Sequence, residues 1–395
     1  MSTDPKTTQN ARERVGRRDF LRTAGAGAAG AGVLGAAACG AQDEAAGPAA
    51  AAAEGPRVNW RLATSFPQSL DIIHGSGQQI ADIVSDLTGG RFTMRVYAAG
   101  EIVPALQVMD AVQQGTVQCG VTAGYYYIGK SPALAFDATV PFGLGTRQQI
   151  SWLYHGGGLD ALNAVYADFG IRTFPAVSTG CQMGGWFREP VETLADLQGL
   201  RMRIPGIGGE SMARLGVTVQ VLGGGDIYPA LERGAIDATE WIGPYDDEKL
   251  GFYQIAQNYY YPGWWEPGLT GSLLVSEAAF QELPAGYQSA LRTACAQTLS
   301  QRLAAYDYAN PQALRRLVRD HGVTLREYSP EILEAAAQEA MEYLEEQAAA
   351  DASFRAVYDS WRAYRDIAFP YFAGNELSYA RFAYPRVGRA DMTAE

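Results

Sequence analysis

The sequence predicts an α/β protein of two lobes joined by hinge strands, followed by a long C-terminal helical segment. Three observations carry that prediction. From Val58 onward, short apolar strands alternate with helical stretches, the pattern of βαβ units around a largely parallel sheet. A second stretch, from Leu197, repeats the same grammar. From Ser329 the apolar and aromatic positions fall at helical spacing over some forty residues.

The first unit opens with "VNWRLATSF" as a strand, then "SGQQIADIVSDLTGGR" as an amphipathic helix stopped by Gly89 and Gly90. "FTMRVYAAGEI" follows as a strand, "PALQVMDAVQQGTV" as a helix from Pro104 to about Gly115, and "QCGVTAGYY" as a strand running into Tyr125, Tyr126 and Tyr127. The second unit runs "LQGLRMRIPG" as a strand, "IGGESMARLG" as a helix, "VTVQVLG" as a strand, and "GGDIYPALERGAIDATEW" as a short helix feeding a strand. "PALQVMDAVQQGTVQCG" and "YPALERGAIDATEW" share the order Pro-Ala-Leu, helix, Gly, apolar strand, which suggests two lobes on one plan. The expected boundaries are 57–178 and 239–268 for lobe I, 179–238 and 269–328 for lobe II, and 329–395 for a helical segment that braces both lobes or dimerises.

The N-terminus has a different purpose. Residues 1–38 carry Arg17-Arg18, then Phe20 and Leu21, then an Ala/Gly-rich stretch ending at Ala38. This resembles a twin-arginine export signal. The small residues before Cys39 resemble a lipobox, in which the Cys becomes the lipidated first residue; the plain alternative is cleavage near Ala38 with Cys39 incidental. Residues 39–56 are a low-complexity tether. The expected location is therefore periplasmic or extracytoplasmic, with a possible lipid anchor at Cys39.

Composition narrows the function. The 395 residues are 47% hydrophobic and 19% charged, with a net charge of −12, ample for one or two cores. No apolar run long enough for a membrane helix occurs beyond residue 60. A chain this acidic is a poor partner for nucleic acid, so any anion must be held by a local site. Cys119, Cys181 and Cys295 lie far apart with no metal-ligand spacing and are expected to be buried thiols. Two lobes, export and a tether point to a receptor that closes on a ligand by hinge motion, with the ligand outside the carboxyl ends of strands.

Four strand ends carry the candidate chemistry: "TGCQMGGWFREP" with Gln182, "LRMRIPG" with Arg203, "ATEWIGP" with Glu240 and Trp241, and "GWWEPG" with Glu266. Arg203 presents a planar fork that matches a carboxylate through two hydrogen bonds, and the helix start after it adds anion-favouring donors; the alternative is an ion pair to a surface carboxylate. Glu240 and Glu266 sit in apolar company beside tryptophans, where two carboxylates repel unless a cation lies between them. Oxygen from Gln182, Glu240, Glu266 and a backbone carbonyl suits a hard ion such as Na⁺ or Ca²⁺. The rivals are a carboxylate pair for acid/base hydrolysis and two separate glutamates on a surface. One hydroxyl of Tyr125 to Tyr127 could donate to a bound anion, and at least one of the three is expected to be plain packing. Phe66 and Trp186 would border an apolar cavity.

At these residues the chain closely resembles the substrate-binding subunit of a tripartite ATP-independent periplasmic (TRAP) transporter, of the DctP type, and within it the branch that binds 2-oxo acids and related monocarboxylates. The matching stretches are "WRLATSFP", "YAAGEIVPALQVMDAVQQGTVQCG", "VPFGL", "TGCQMGGWFR", "LQGLRMRIPG", "GGDIYPALERGAIDATEWIGPYDD" and "YYYPGWWEPG". The resemblance implies a two-lobed periplasmic binding protein fold and no enzymatic activity. It implies that Arg203 clamps the ligand carboxylate, that Tyr126 bonds it from the first lobe, and that Gln182, Glu240, the Trp241 carbonyl and Glu266 coordinate the metal ion. It also implies membrane permease subunits as partners and a homodimer through the C-terminal helix. The rival from another class is an exported hydrolase or lyase using Glu240 and Glu266; a third is a sensor receptor presenting ligand to a signalling protein.

Overall fold

The computed structural model describes residues 55–387. The expectations for residues 1–38 and for Cys39 lie outside those residues. Among the described residues no helix is long and apolar enough to cross a membrane.

Two mixed sheets organise the chain, one of five strands in the order β2-β1-β3-β10-β4 and one of six in the order β11-β9-β5-β8-β6-β7. The first begins with β1 (Val58–Thr64), α1 (Gly75–Leu87) and β2 (Phe92–Tyr97), and continues through α2 (Val108–Gln113) to β3 (Cys119–Thr122). Helix α1 buries Ile80, Ala81 and Val84 on one face, and Gly89 and Gly90 end it at positive φ, where a Cβ would strain the turn. Three short helices, α3 (Ala135–Ala138), α4 (Thr146–His155) and α5 (Gly158–Ala167), precede β4 (Ile171–Gly180).

The chain then crosses to the second sheet: β5 (Trp186–Phe187), β6 (Arg201–Arg203), α6 (Gly206–Arg214), β7 (Thr218–Gln220), α7 (Gly224–Glu232), β8 (Ala238–Thr239), α8 (Pro244–Leu250) and β9 (Asn258–Tyr261). It returns to the first sheet as β10 (Leu269–Ser276), runs through α9 (Glu277–Gln281) and the 35-residue α10 (Ala285–Arg319), and rejoins the second sheet as β11 (Thr324–Glu327). Helix α10 covers edge strand β4 and also packs on α1 and α8, so β4 and β10 are buried almost throughout, as continuous apolar strands require.

Two expectations are corrected here. Strand β9 belongs to the second sheet and β10 to the first, the reverse of assigning 239–268 to lobe I and 269–328 to lobe II. The sheets are also mixed: β10 runs antiparallel to β3 and β4, and β5 runs antiparallel to β8 and β9. The physical reason is common to both. Strands β5 and β10 arrive from the other lobe through short crossovers and not through a βαβ helix, so no helical spacer in the sequence announces their direction, while β9, reached from β8 through α8, stays in the second sheet.

The repeated helix-Gly-strand unit has a structural counterpart. In each sheet a short helix (α2 or α7) ends at a left-handed glycine, Gly115 (φ 72°) or Gly234 (φ 67°). Each then feeds a strand parallel to its neighbour, β3 beside β1 and β8 beside β6.

The tail is three helices. α11 (Pro330–Ala350) packs on α6 of the second lobe, and α12 (Ala352–Phe372) packs on α4 and α5 of the first. Asp351 separates them: it is extended and its carboxylate caps α12 by accepting from the Ser353 and Phe354 amides at 2.7 and 3.0 Å. A wider turn at Ala373–Leu377 leads into α13 (Ser378–Val387). The segment thus lies across both lobes, with Trp361 buried among Phe136, Tyr358 and Gly143.

Candidate functional site

The chain passes from the first sheet to the second between β4 and β5 and returns between β9 and β10, and the candidate residues lie on those passages or beside them. Gln182 sits between β4 and β5, Glu240 and Trp241 follow β8, and Glu266 lies between β9 and β10. Main-chain hydrogen bonds stitch the passages together. The Gln182 amide donates to the Glu266 carbonyl at 3.1 Å, Gly263 to the Gln182 carbonyl at 3.2 Å, and Met183 to the Ile242 carbonyl at 3.3 Å. Glycine is needed for this close approach: a Cβ at Gly263 would lie 2.4 Å from the Gln182 carbonyl oxygen.

Arg203 ends β6 and is 1% exposed. Its Nε donates to the Leu222 carbonyl at 3.1 Å and its Nη1 to the Glu240 carbonyl at 3.0 Å, and Nη1 also pairs with the Glu240 carboxylate through Oε1. Its Cζ lies 5.0 Å above the Trp241 ring. Nη2 has no partner. The sequence left open a bidentate clamp or a surface ion pair. The structure has a buried ion pair to Glu240 itself, which leaves one terminal nitrogen of the fork uncommitted.

Three buried side-chain oxygens are likewise unpartnered: Gln182 Oε1, Glu240 Oε2 and Glu266 Oε2. Gln182 spends its Nε2 on Thr179 Oγ1 at 3.1 Å, which turns its carbonyl oxygen free. Burial pushes the Glu240 carboxyl up to about 7 against the opposing pull of Arg203. Glu266 is pushed well above the usual range, by burial first and by the charge of Glu240 second. A buried carboxyl pushed up by the charge of a second buried carboxylate, as Glu266 is by Glu240, marks a site for a cation. The donor set of amide and carboxylate oxygens fits a hard ion.

The first lobe supplies the facing wall. A 3₁₀ turn at Gly124–Tyr127 follows β3, at the strand end that corresponds to Glu240 and Trp241 after β8. Tyr126 is partly exposed and lies beside the Arg203 guanidinium; burial raises its pKa and Arg203 opposes the rise. Tyr125 lies beside Glu266 and meets Tyr126 edge-to-face at 4.8 Å. Tyr127 is the packing residue of the three: its hydroxyl is 2.8 Å from Thr122 Oγ1 and accepts from the Met109 amide at 3.2 Å. Helix α6 starts against this wall, because a Cβ at Gly206 would lie 2.9 Å from that of Tyr125. Phe66, Ile73, Tyr125, Tyr126, Trp241, Ile242 and Leu269 line a narrow gap between the lobes with no room for a water molecule.

The structure therefore brings Gln182, Arg203, Glu240, Trp241, Glu266, Tyr126 and Phe66 together. It does not bring Trp186 or Cys181. Trp186 is stacked on Tyr259 at 3.9 Å and donates to Asp247, so it is held inside the second lobe. Cys181 is exposed, while Cys119 and Cys295 are buried; Cys181 lies just beyond the left-handed turn at Gly180, φ 78°, which carries it out of the strand's buried register. The sequence also passed over Asp246 and Asp247, both buried carboxylates behind the Glu240 loop. Their signal was available as two adjacent acids in the first turn after Pro244, in "PYDDEKL".

Two lobes with a buried, charged and partly unpaired site on the passages between them define a receptor that encloses a small charged solute. The chain belongs to the bacterial extracellular solute-binding proteins, family 7 (DctP), which it matches over residues 63–351. Members of this family are extracytoplasmic solute receptors and not enzymes. A monocarboxylate 2-oxoacid-binding periplasmic protein of Nostoc sp. is 54% identical over 328 residues, covering 83% of this chain and 90% of that protein. Among solved structures, a TRAP transporter solute-binding protein from Bordetella bronchiseptica, a mixed-occupancy dimer with copurified calcium and picolinate, superposes with a TM-score of 0.83 at 42% identity. It covers 85% of this chain and 100% of that one. A TRAP periplasmic solute-binding protein from Pseudoalteromonas atlantica with bound sodium and pyruvate has a TM-score of 0.80 at 34% identity, covering 82% of this chain and 99% of that one.

Proposed function

We propose that this chain captures a small 2-oxo or 2-hydroxy monocarboxylate together with a Na⁺ or Ca²⁺ ion and delivers it to the membrane permease subunits of a TRAP transporter. The observation that carries this reading is the convergence of one unpartnered cationic nitrogen, Arg203 Nη2, with three unpartnered buried oxygens, on Gln182, Glu240 and Glu266. The nitrogen suits a carboxylate; the oxygens suit a hard cation. Gln182, Glu240, Glu266 and the Trp241 carbonyl would hold the ion, Arg203 and Tyr126 would hold the acid, and Phe66 would wall its tail. The bound ion supplies charge neutralisation and a template for chelation.

The relatives' ligands support the same chemistry. Pyruvate presents a carboxylate oxygen and a keto oxygen on adjacent atoms, and picolinate presents a carboxylate oxygen and a ring nitrogen in the same relation. Each has the donor spacing to close a small chelate ring on one metal ion. With Arg203 and both glutamates charged, Ca²⁺ would bring such a complex to neutrality and Na⁺ would leave one negative charge.

Calorimetric titration of dialysed protein with pyruvate, lactate and longer 2-oxo acids, with and without Na⁺ or Ca²⁺, tests the reading. Binding is expected only with an ion present. Glu240→Ala is expected to weaken acid binding by about 10- to 100-fold and to remove its ion dependence. If no acid binds the intact protein under any of these conditions, the ligand class is wrong.

We further infer export by the twin-arginine route on Arg17-Arg18, lipidation at Cys39, and a homodimer through the tail. The dimer reading is supported by the apolar side chains that α12 and α13 leave exposed, among them Ile367, Tyr371, Tyr379 and Tyr384, a face suited to a second copy.

A further inference from the structure

We propose that Asp247 is a positioning residue of the ion and acid site, holding the Glu240–Gly243 turn in register with Arg203. The proposal rests on the solute-binding reading of that site.

Asp247 lies in α8 and is 1% exposed. One of its oxygens, Oδ1, accepts from the Ile242 and Gly243 amides, each at 3.2 Å. The other, Oδ2, accepts from Trp186 Nε1 at 2.9 Å and from the Tyr259 hydroxyl at 2.7 Å. Two donors thus come from the turn that carries Glu240 and Trp241. The other two come from β5 and β9, where Trp186 and Tyr259 are directly paired across the ladder. The carboxylate is a rivet between a mobile kind of element, a turn, and a rigid one, a sheet.

The capacity of the group decides its role. A carboxylate has about four acceptor positions, and this one meets four donors. It has nothing left for an ion or a ligand, so it acts only through what it holds. What it holds is consequential: Ile242 also accepts from the Met183 amide, so the turn fixed by Asp247 in turn fixes the segment carrying Gln182. Sheet strand β6, which carries Arg203, lies beside β8 in the same sheet as β5 and β9. Asp247 therefore sets Glu240, the Trp241 carbonyl and Gln182 at fixed distances from Arg203. Outer partners that orient metal ligands typically govern about 10- to 100-fold in affinity.

The test separates positioning from mere stability. Asp137 is a control of the same kind: a fully buried carboxylate in the first lobe, bonded by Tyr166, Ser272 and Thr173, none of which carries a site group. Asp247→Asn keeps the size but faces the Trp186 N–H with an amide N–H. Ca²⁺ alone, and then pyruvate at saturating Ca²⁺, are titrated calorimetrically into Asp247→Asn, Asp137→Asn and wild type, well below each unfolding midpoint. Asp247→Asn is expected to lose about tenfold or more for both probes, while Asp137→Asn loses thermal stability and keeps both affinities within about twofold. If Asp247→Asn does not fold, Tyr259→Phe against Tyr166→Phe decides in the same way, since each removes one hydroxyl donor from its carboxylate. Affinities of the site variants within twofold of their controls would overturn the proposal while leaving the solute-binding reading intact. A wild-type protein that binds no acid overturns that reading and this proposal with it.

Discussion

Arg203 is buried with all but one of its nitrogens committed. Its pairing with Glu240 stabilises the fold only as a pair, because removing one partner leaves an uncompensated buried charge. The committed nitrogens also orient the free one, which is what a rigid guanidinium offers and a flexible ammonium does not. Arg203→Lys keeps the charge but cannot reach the Leu222 carbonyl, Glu240 and a ligand at once. It is expected to retain the fold and lose at least about tenfold in pyruvate affinity, measured by calorimetry with Ca²⁺ present. At this scale the candidate residues were legible in the sequence because each broke a rule: Gln182, Arg203, Glu240 and Glu266 are polar or charged in apolar strand ends. Asp247 broke the same rule less visibly, since an acid in the first turn of a helix needs no further explanation.

The elements that matter most are the passages between the sheets. Their geometry depends on left-handed glycines and close main-chain contacts. Gly185 has φ 92°, and a Cβ there would lie 2.7 Å from the Thr239 carbonyl oxygen. Gly185→Ala is therefore expected to cost about 1–3 kcal/mol through backbone strain, with a further loss from the clash, and to weaken pyruvate binding because Thr239 adjoins Glu240. Thermal unfolding and titration of the same sample check both. Helix α10 acts on the same region from outside. Along one stripe Arg302 bonds the Gly75 carbonyl of the first lobe, Tyr306 bonds Asp246, and Asn310 accepts from the Tyr245 amide. The sequence pattern showed the tail helices but did not single out α10, whose interior Pro311 interrupts the helical signal.

For the whole molecule, buried carboxylates set the pH dependence. Burial raises Asp137 to about 6 and Asp246 to about 7. A carboxyl whose folded pKa is raised binds more protons folded than unfolded over that window, so stability falls as pH rises from about 4 through about 7 and levels above it. Groups of the opposite sign, such as Asp237 and Glu277 paired with Arg201 and Arg172, act at the acid end of this window, where their unfolded forms titrate, and His74, lowered by burial, opposes the decline through its middle. Unfolding midpoints measured between pH 5 and 8 are expected to decline with pH, and Asp137→Asn or Asp246→Asn to flatten the slope. The tail makes a separate prediction. Deleting residues 378–395 removes α13 and its exposed tyrosines without touching the buried face of α12, so sedimentation is expected to shift from dimer to monomer with solute binding retained.

Taken by itself, the amino-acid order determined the alternation of strands and helices, the repeated helix-Gly-strand unit, and the polar interruptions at Gln182, Arg203, Glu240 and Glu266. These are local properties, set by side-chain periodicity and by the cost of placing polar groups in apolar segments. Tertiary structure decided which sheet β9 and β10 join, that Arg203 pairs with Glu240, that Trp186 is locked behind the site with Asp247, and that Tyr127 and not Tyr126 is the packing tyrosine. Those outcomes depend on contacts between residues tens of positions apart, made by short crossovers whose direction no local pattern encodes. The physics of desolvation selected the residues, and only the folded chain could say what each of them faces.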